Sequence, residues 1–149
     1  MTAALDLQQK IRAAIPLSAA MEFSIDALSL DAIRVTAPLQ PNVNIHGTGF
    51  AGSIYSVAIL TGWALCTHIL DQYKIDAELV VAKAEIKYRA PVTTDLGCNA
   101  NVSIAARELF LQGIREQGKG RLVLDIEVGD LPQAVLQATF YAVTRAGKE

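Results

Sequence analysis

The chain has 149 residues, 52% of them hydrophobic, and a formal charge of −2. That length suits one domain, 1–149, with a sizeable core. The slight acidity and a pI near 5.7 argue against nucleic acid binding, which wants a clustered basic face. The two cysteines, Cys66 and Cys98, sit in apolar surroundings without metal or redox spacing, so they read as free buried thiols. The first twenty residues carry an acid, Asp6, and no basic-then-apolar layout, which leads us to expect a cytoplasmic protein.

In chain order, Leu5, Leu7, Ile11, Ala14 and Ile15 recur at helical spacing, and Pro16 is expected to stop that helix. Segments 21–28 and 32–39 each alternate apolar and polar residues and read as a hairpin. A loop from Pro41 to Gly52 follows. Segment 53–70, "SIYSVAILTGWALCTHIL", carries no charge and is within the length of a membrane span. Its hydroxyls, its glycine and His68, and the lack of basic flanks favour a buried core helix over a span.

Segment 79–91 reads as a strand with Ala82, Ala84, Ile86 and Tyr88 on one face and Lys83, Glu85, Lys87 and Arg89 on the other. A strand at 97–104, a short helix at 105–117 and strands at 119–128 and 133–145 complete the set. Hairpin-length connections imply an antiparallel sheet, and an apolar helix needs cover on nearly every side. The expected class is α+β, a curved sheet wrapped around one helix.

The most unusual stretch is "NIHGTGFAGS", residues 44–53, with glycines at 47, 49 and 52 directly before the long helix. No aspartate or glutamate occurs between Asp31 and Asp71. Asn44, Gly47-Thr48 and Phe50-Ala51-Gly52 resemble the Asn-x-x-Gly-Thr-x-(His/Phe)-Gly-Gly signature of the hotdog-fold thioesterase superfamily, with Ala51 replacing one glycine. "GSIYSVAILTGW" and "AEIKYRAPV" are more similar to one subgroup, found alone or fused to an acetyltransferase domain and associated with malonyl-acyl carrier protein decarboxylation. The resemblance covers about residues 16–145. It implies a six-stranded sheet around a central helix, a homodimer or a tetramer built from it, and acyl thioesters of carrier protein or coenzyme A as substrates. No cofactor and no metal are implied.

A helix N-terminus offers unpaired N–H groups and a positive dipole end, which would polarise a thioester oxygen. On that reading the Ala51 and Gly52 N–H groups receive the oxyanion, while the plain alternative is a tight loop-to-helix turn. Asn44 is expected to position the malonyl thioester, with Asn42 left for turn duty. Thr48, Phe50, Ser53, His46 and Tyr88 complete the candidate substrate contacts, although Ser53 also suits a helix cap and His46 a plain loop position. Tyr55 and Trp63 read as core or pocket wall. Lys83, Lys87 and Arg89 are candidate carrier-protein or coenzyme A contacts, against a solvated strand face with Glu85 among them.

No serine or cysteine has an obvious base beside it, so a covalent mechanism is not expected. An acid-free helix suits decarboxylation, which needs no general base, better than hydrolysis, which would forgo a factor of about 10²–10⁴. Three readings follow. They are malonyl-acyl carrier protein decarboxylase at the start of fatty acid synthesis, acyl-thioester hydrolase with Glu85 or Asp95 of a second subunit as base, and non-catalytic acyl-binding module.

Overall fold

A computed structural model describes residues 2–145, so the outermost ends of the expected 1–149 domain lie outside the described residues. Helix α1 (Ala3–Ala14) is capped by the Thr2 hydroxyl, which accepts from Leu5 N–H, and buries Leu7 and Ile11. Pro16 ends it as expected. The same proline also opens a second short helix, α2 (Pro16–Ala20), because a fixed φ and a missing N–H suit the first helical position.

Strands β1 (Ser24–Leu28), β2 (Ala32–Ala37), β3 (Ala77–Tyr88), β4 (Leu96–Asn101), β5 (Lys119–Val128) and β6 (Ala134–Thr144) form one antiparallel sheet. Their order is β1-β2-β4-β5-β6-β3. Strand β5 shows the driving pattern most clearly. Leu122, Leu124, Ile126 and Val128 are buried, while Arg121, Val123, Asp125 and Glu127 alternate with them on the outer face. Helix α4 (Ile104–Gln117) buries Phe110, Leu111 and Ile114 and packs on β5.

The long helix α3 (Ala51–Gln72) lies inside the curve and touches β2, β3, β4, β5 and β6. This is the expected hotdog arrangement. By length and composition α3 could cross a membrane, yet two-thirds of its apolar window is buried inside the fold. Its surface is spent on the sheet. One stripe escapes that cover. Tyr55, Ser56, Ile59, Trp63 and Thr67 are half-buried and Gly52 and Asp71 exposed, at helical spacing along a single face.

The two sheet edges are finished differently. On β1, Gln8 Oε1 of α1 accepts from Ile25 N–H at 2.8 Å and Arg12 Nε donates to the Phe23 carbonyl at 2.8 Å. Such side chains blunt an edge against further pairing. Strand β3 pairs on one side only, with β6, and Val80, Val81 and Tyr88 along it are exposed.

Candidate active site

Residues 43–50 fold into a compact loop. Val43 and Gly49 bridge, Asn44 N–H donates to the Thr48 carbonyl at 2.8 Å, and Gly47 takes a left-handed φ of +80°. That φ explains glycine at 47. Asn42, 1% exposed, anchors the base by donating to the Met21 and Pro38 carbonyls at 3.0 and 2.8 Å. Its own carbonyl accepts from Phe50 N–H at 2.8 Å, and Gly49 N–H reaches the Val92 carbonyl at 2.7 Å. The loop is therefore clamped on both flanks.

Helix α3 starts at Ala51, two residues before Ser53. Phe50 is the N-cap, and no side chain bonds there. Ser53 is the third residue inside the helix, so its suggested capping role is not realised. The first N–H of the helix with a protein partner is that of Ile54, at 2.9 Å from the Phe50 carbonyl. Among the described residues, the N–H groups of Ala51, Gly52 and Ser53 have none. Three donors at the positive end of a helix of this length are thus left open. The Phe50 ring lies over Gly52, where an added Cβ would come within 2.6 Å of it.

A cleft of about 400 Å³ opens beside this end, lined by Asn44, Thr48, Ala51, Ile54, Tyr88 and Arg89, with Gly49 and Ala90, Pro91 and Val92 completing its wall. Tyr88 belongs to the inner face of β3, and its hydroxyl donates to the Ala51 carbonyl at 2.8 Å. Burial raises its pKa, and neighbouring Tyr55 adds to the shift, so the phenol stays protonated. Among the described residues, no aspartate or glutamate lines the cleft.

The structure thus gathers Asn44, Thr48, Ala51, Tyr88 and Arg89 around one opening. Gly52 and Phe50 stand at the helix tip just outside it, and His46 is exposed on the loop. Asn44 is half-buried, and its amide bonds within the loop: Oδ1 accepts from His46 and Thr48 N–H, and Nδ2 donates to Thr48 Oγ1. Lys83 and Lys87 are on the outer face of β3, outside the cleft, with Glu85 between them, and Arg89 also borders Lys87 there. Asp125 and Glu127 of β5 face the same side, so this patch is mixed in sign. A bulge at Ala82, between Val81 and Lys83, removes that residue from the regular inner row. Glu85 points outward, and Asp95 accepts from Leu39 N–H at 2.9 Å, so neither reaches the cleft of its own protomer.

Sequence reasoning named Arg89 but missed the 90–92 wall that follows it, whose only signal was Pro91 closing the strand. A larger cavity of about 550 Å³ was also missed, at the far end of α3 beside Trp63, Thr67 and Asp71. Polar residues four apart in an apolar helix were its trace. Two of its acids, Asp76 and Glu78, lie 2.7 and 3.7 Å from Arg145. It sits at the negative end of the helix dipole, about 30 Å of helix away from the open N–H groups. That end disfavours anions.

Cys66 and Cys98 are free, and burial pushes both thiols up, Cys98 to about 12, which removes them as nucleophiles. No cluster of His, Cys, Asp and Glu suited to a metal ion occurs among the described residues.

The sequence model of the family described as "Putative thioesterase (yiiD_Cterm)" matches residues 4–142. Among solved structures, a "putative thioesterase" from Shewanella oneidensis superimposes with a TM-score of 0.86 at 29% identity, covering 94% of this chain and 96% of its own. A protein of unknown function from Chlorobaculum tepidum TLS gives 0.90 at 23% identity, with 95% and 94% covered. A protein from Pseudomonas aeruginosa described as a "probable thioesterase" gives 0.82 at 19%, with 97% and 99% covered. The last two likenesses speak to fold alone.

Proposed function

Since the chain belongs to this thioesterase family, whose members act on acyl thioesters, we propose that it decarboxylates malonyl-acyl carrier protein to the acetyl thioester. The observation that carries this reading is the pairing of three open helix N–H groups with a cleft that no carboxylate lines. The thioester carbonyl oxygen rests against the Ala51 and Gly52 N–H groups. The bond between the malonyl methylene and its carboxyl carbon breaks, carbon dioxide leaves, and the electron pair enters the thioester as an enolate. Donors aimed at a developing oxyanion are worth more in the transition state than in the ground state. Water then protonates the methylene carbon. A cleft carboxylate would repel the substrate's own, and among the described residues none lines the cleft.

Hydrolysis is the second reading, favoured by the thioesterase descriptions of the family and of the Shewanella protein. It needs a base to activate water, and Glu85 and Asp95 are placed for that only if they act on a partner's cleft. Mass spectrometry after incubation with malonyl and longer acyl thioesters separates the outcomes. Acetyl thioester supports decarboxylation. Free thiol without acetyl product overturns it in favour of hydrolysis, and unchanged substrate leaves an acyl-binding module.

The working unit in this proposal is a homodimer. Strand β3 has an unpaired edge while β1 is blocked, and the half-buried stripe of α3 lies on the face that the sheet leaves uncovered. Light scattering at micromolar concentration should give twice the 16.0 kDa chain mass; a monomer would sink the idea.

A further inference from the structure

The Asn44 amide has a fixed orientation. Its Oδ1 accepts from the backbone N–H groups of His46 at 2.8 Å and Thr48 at 3.1 Å. An amide nitrogen in that place would face two donors, so the backbone itself decides which atom is oxygen. The nitrogen then donates to Thr48 Oγ1 at 2.9 Å, with the Gly49 carbonyl at 3.4 Å. All hydrogen-bonding positions of this side chain are engaged inside the loop.

The consequence falls on Thr48. Its oxygen accepts the Asn44 proton, so its own hydrogen must point elsewhere, and among the described residues no group accepts it. Thr48 is half-buried and lines the same cleft as Ala51. A hydroxyl that already accepts one hydrogen bond is the better donor of another.

We propose that the Thr48 hydroxyl, oriented by Asn44, is the neutral side-chain donor that this site presents to substrate beside the Arg89 guanidinium, and that it takes the free carboxylate of a malonyl thioester. The inference rests on the decarboxylase reading. In that reading the thioester oxygen belongs to the helix N–H groups, so a second donor is left for a second oxygen function. A plain acyl chain has none. Thr48 therefore adds to the selection of carboxyacyl over simple acyl thioesters, and as a neutral donor its own contact adds no ground-state hold of the kind a cation exerts. Asn44 is a positioning residue that acts through Thr48.

The test uses the full chain with Thr48→Val and Thr48→Ser, and malonyl-CoA and acetyl-CoA as probes. Affinity is read as a dissociation constant, and where malonyl-CoA is converted, kcat/KM is read as well. Thr48→Val should lose roughly ten- to hundredfold toward malonyl-CoA, the scale of one hydrogen bond to a charged group, and leave acetyl-CoA unchanged. Thr48→Ser should restore most of the loss. Wild-type protein that does not discriminate between the two probes overturns the proposal. So does a Thr48→Val variant that keeps the preference, or equal losses in the Val and Ser variants. Selective malonyl binding through Thr48 without acetyl product would overturn decarboxylation alone and leave this assignment standing.

Discussion

Tyr88 and Ala51 are 37 residues apart in sequence and joined by one bond, the phenol donating to the helix carbonyl at 2.8 Å. It ties the end of the open edge strand to the first turn of the central helix. The bond also spends the phenol's proton, so the oxygen faces the cleft as an acceptor.

Tyr88→Phe should therefore cost little in stability, at most about 1 kcal/mol, because the side chain is half exposed. Its effect on turnover should be larger in proportion, since the helix tip loses its lateral tether. Urea denaturation and steady-state kinetics on one preparation check this. A stability loss with unchanged kcat and KM would remove Tyr88 from the site.

Asn44→Asp tests the loop network. The new carboxylate keeps the acceptor for His46 and Thr48 N–H but no longer donates to Thr48 Oγ1. The Thr48 hydroxyl should then turn back onto it, away from substrate. The kcat/KM for malonyl thioester should drop roughly ten- to hundredfold, the scale of one lost hydrogen bond to a charged group. Adding Thr48→Val should make little further difference, because both changes remove the same donor. Additive losses would show that the two residues act separately.

The basic residues divide into two groups. Arg89 lines the cleft and also borders Lys87, Glu85 and Asp125 on the outer side, whereas Lys83 and Lys87 belong to the outer face of β3 alone, among Glu85, Asp125 and Glu127. Arg89→Gln should raise KM for carrier-protein and coenzyme A thioesters alike. Lys83→Glu with Lys87→Glu should raise KM for the carrier-protein substrate only, and less so at high salt. Equal effects of the lysine pair on both substrates would rule out steering by that face.

His68 makes the stability pH-dependent. Burial lowers its pKa below the ordinary 6.5, with Asp71 pulling weakly the other way. The unfolded chain thus binds the extra proton first as pH falls. Stability from the neutral imidazole is intact above 6.5 and is lost as pH drops through that value. His68→Gln should flatten the fall of the urea midpoint between about pH 7 and pH 5. Parallel curves for variant and wild type would assign the acid sensitivity elsewhere.

Periodicity was enough to mark the long elements of this protein, though not the short helix that Pro16 opens. The alternation in 119–128 and 134–144, and the uncharged run after the glycine loop, report which side of each element meets the core. The helix at 104–117 was legible for the same reason. The loop was legible through residue types, since Gly47 needs a left-handed φ and the helix start needs small residues.

Hydrogen-bond partners were not legible. Sequence register placed the functional amide at Asn44, and nothing along the chain says that its four bonding positions close on His46, Thr48 and Gly49. The same holds for Arg89, which lies just past the end of β3 and lines the cleft while still bordering Lys87 on the outer side. Burial is a property of single residues repeated along an element, so a one-dimensional pattern records it. Which donor is left over depends on distances between segments far apart in sequence, and only the packed chain decides that.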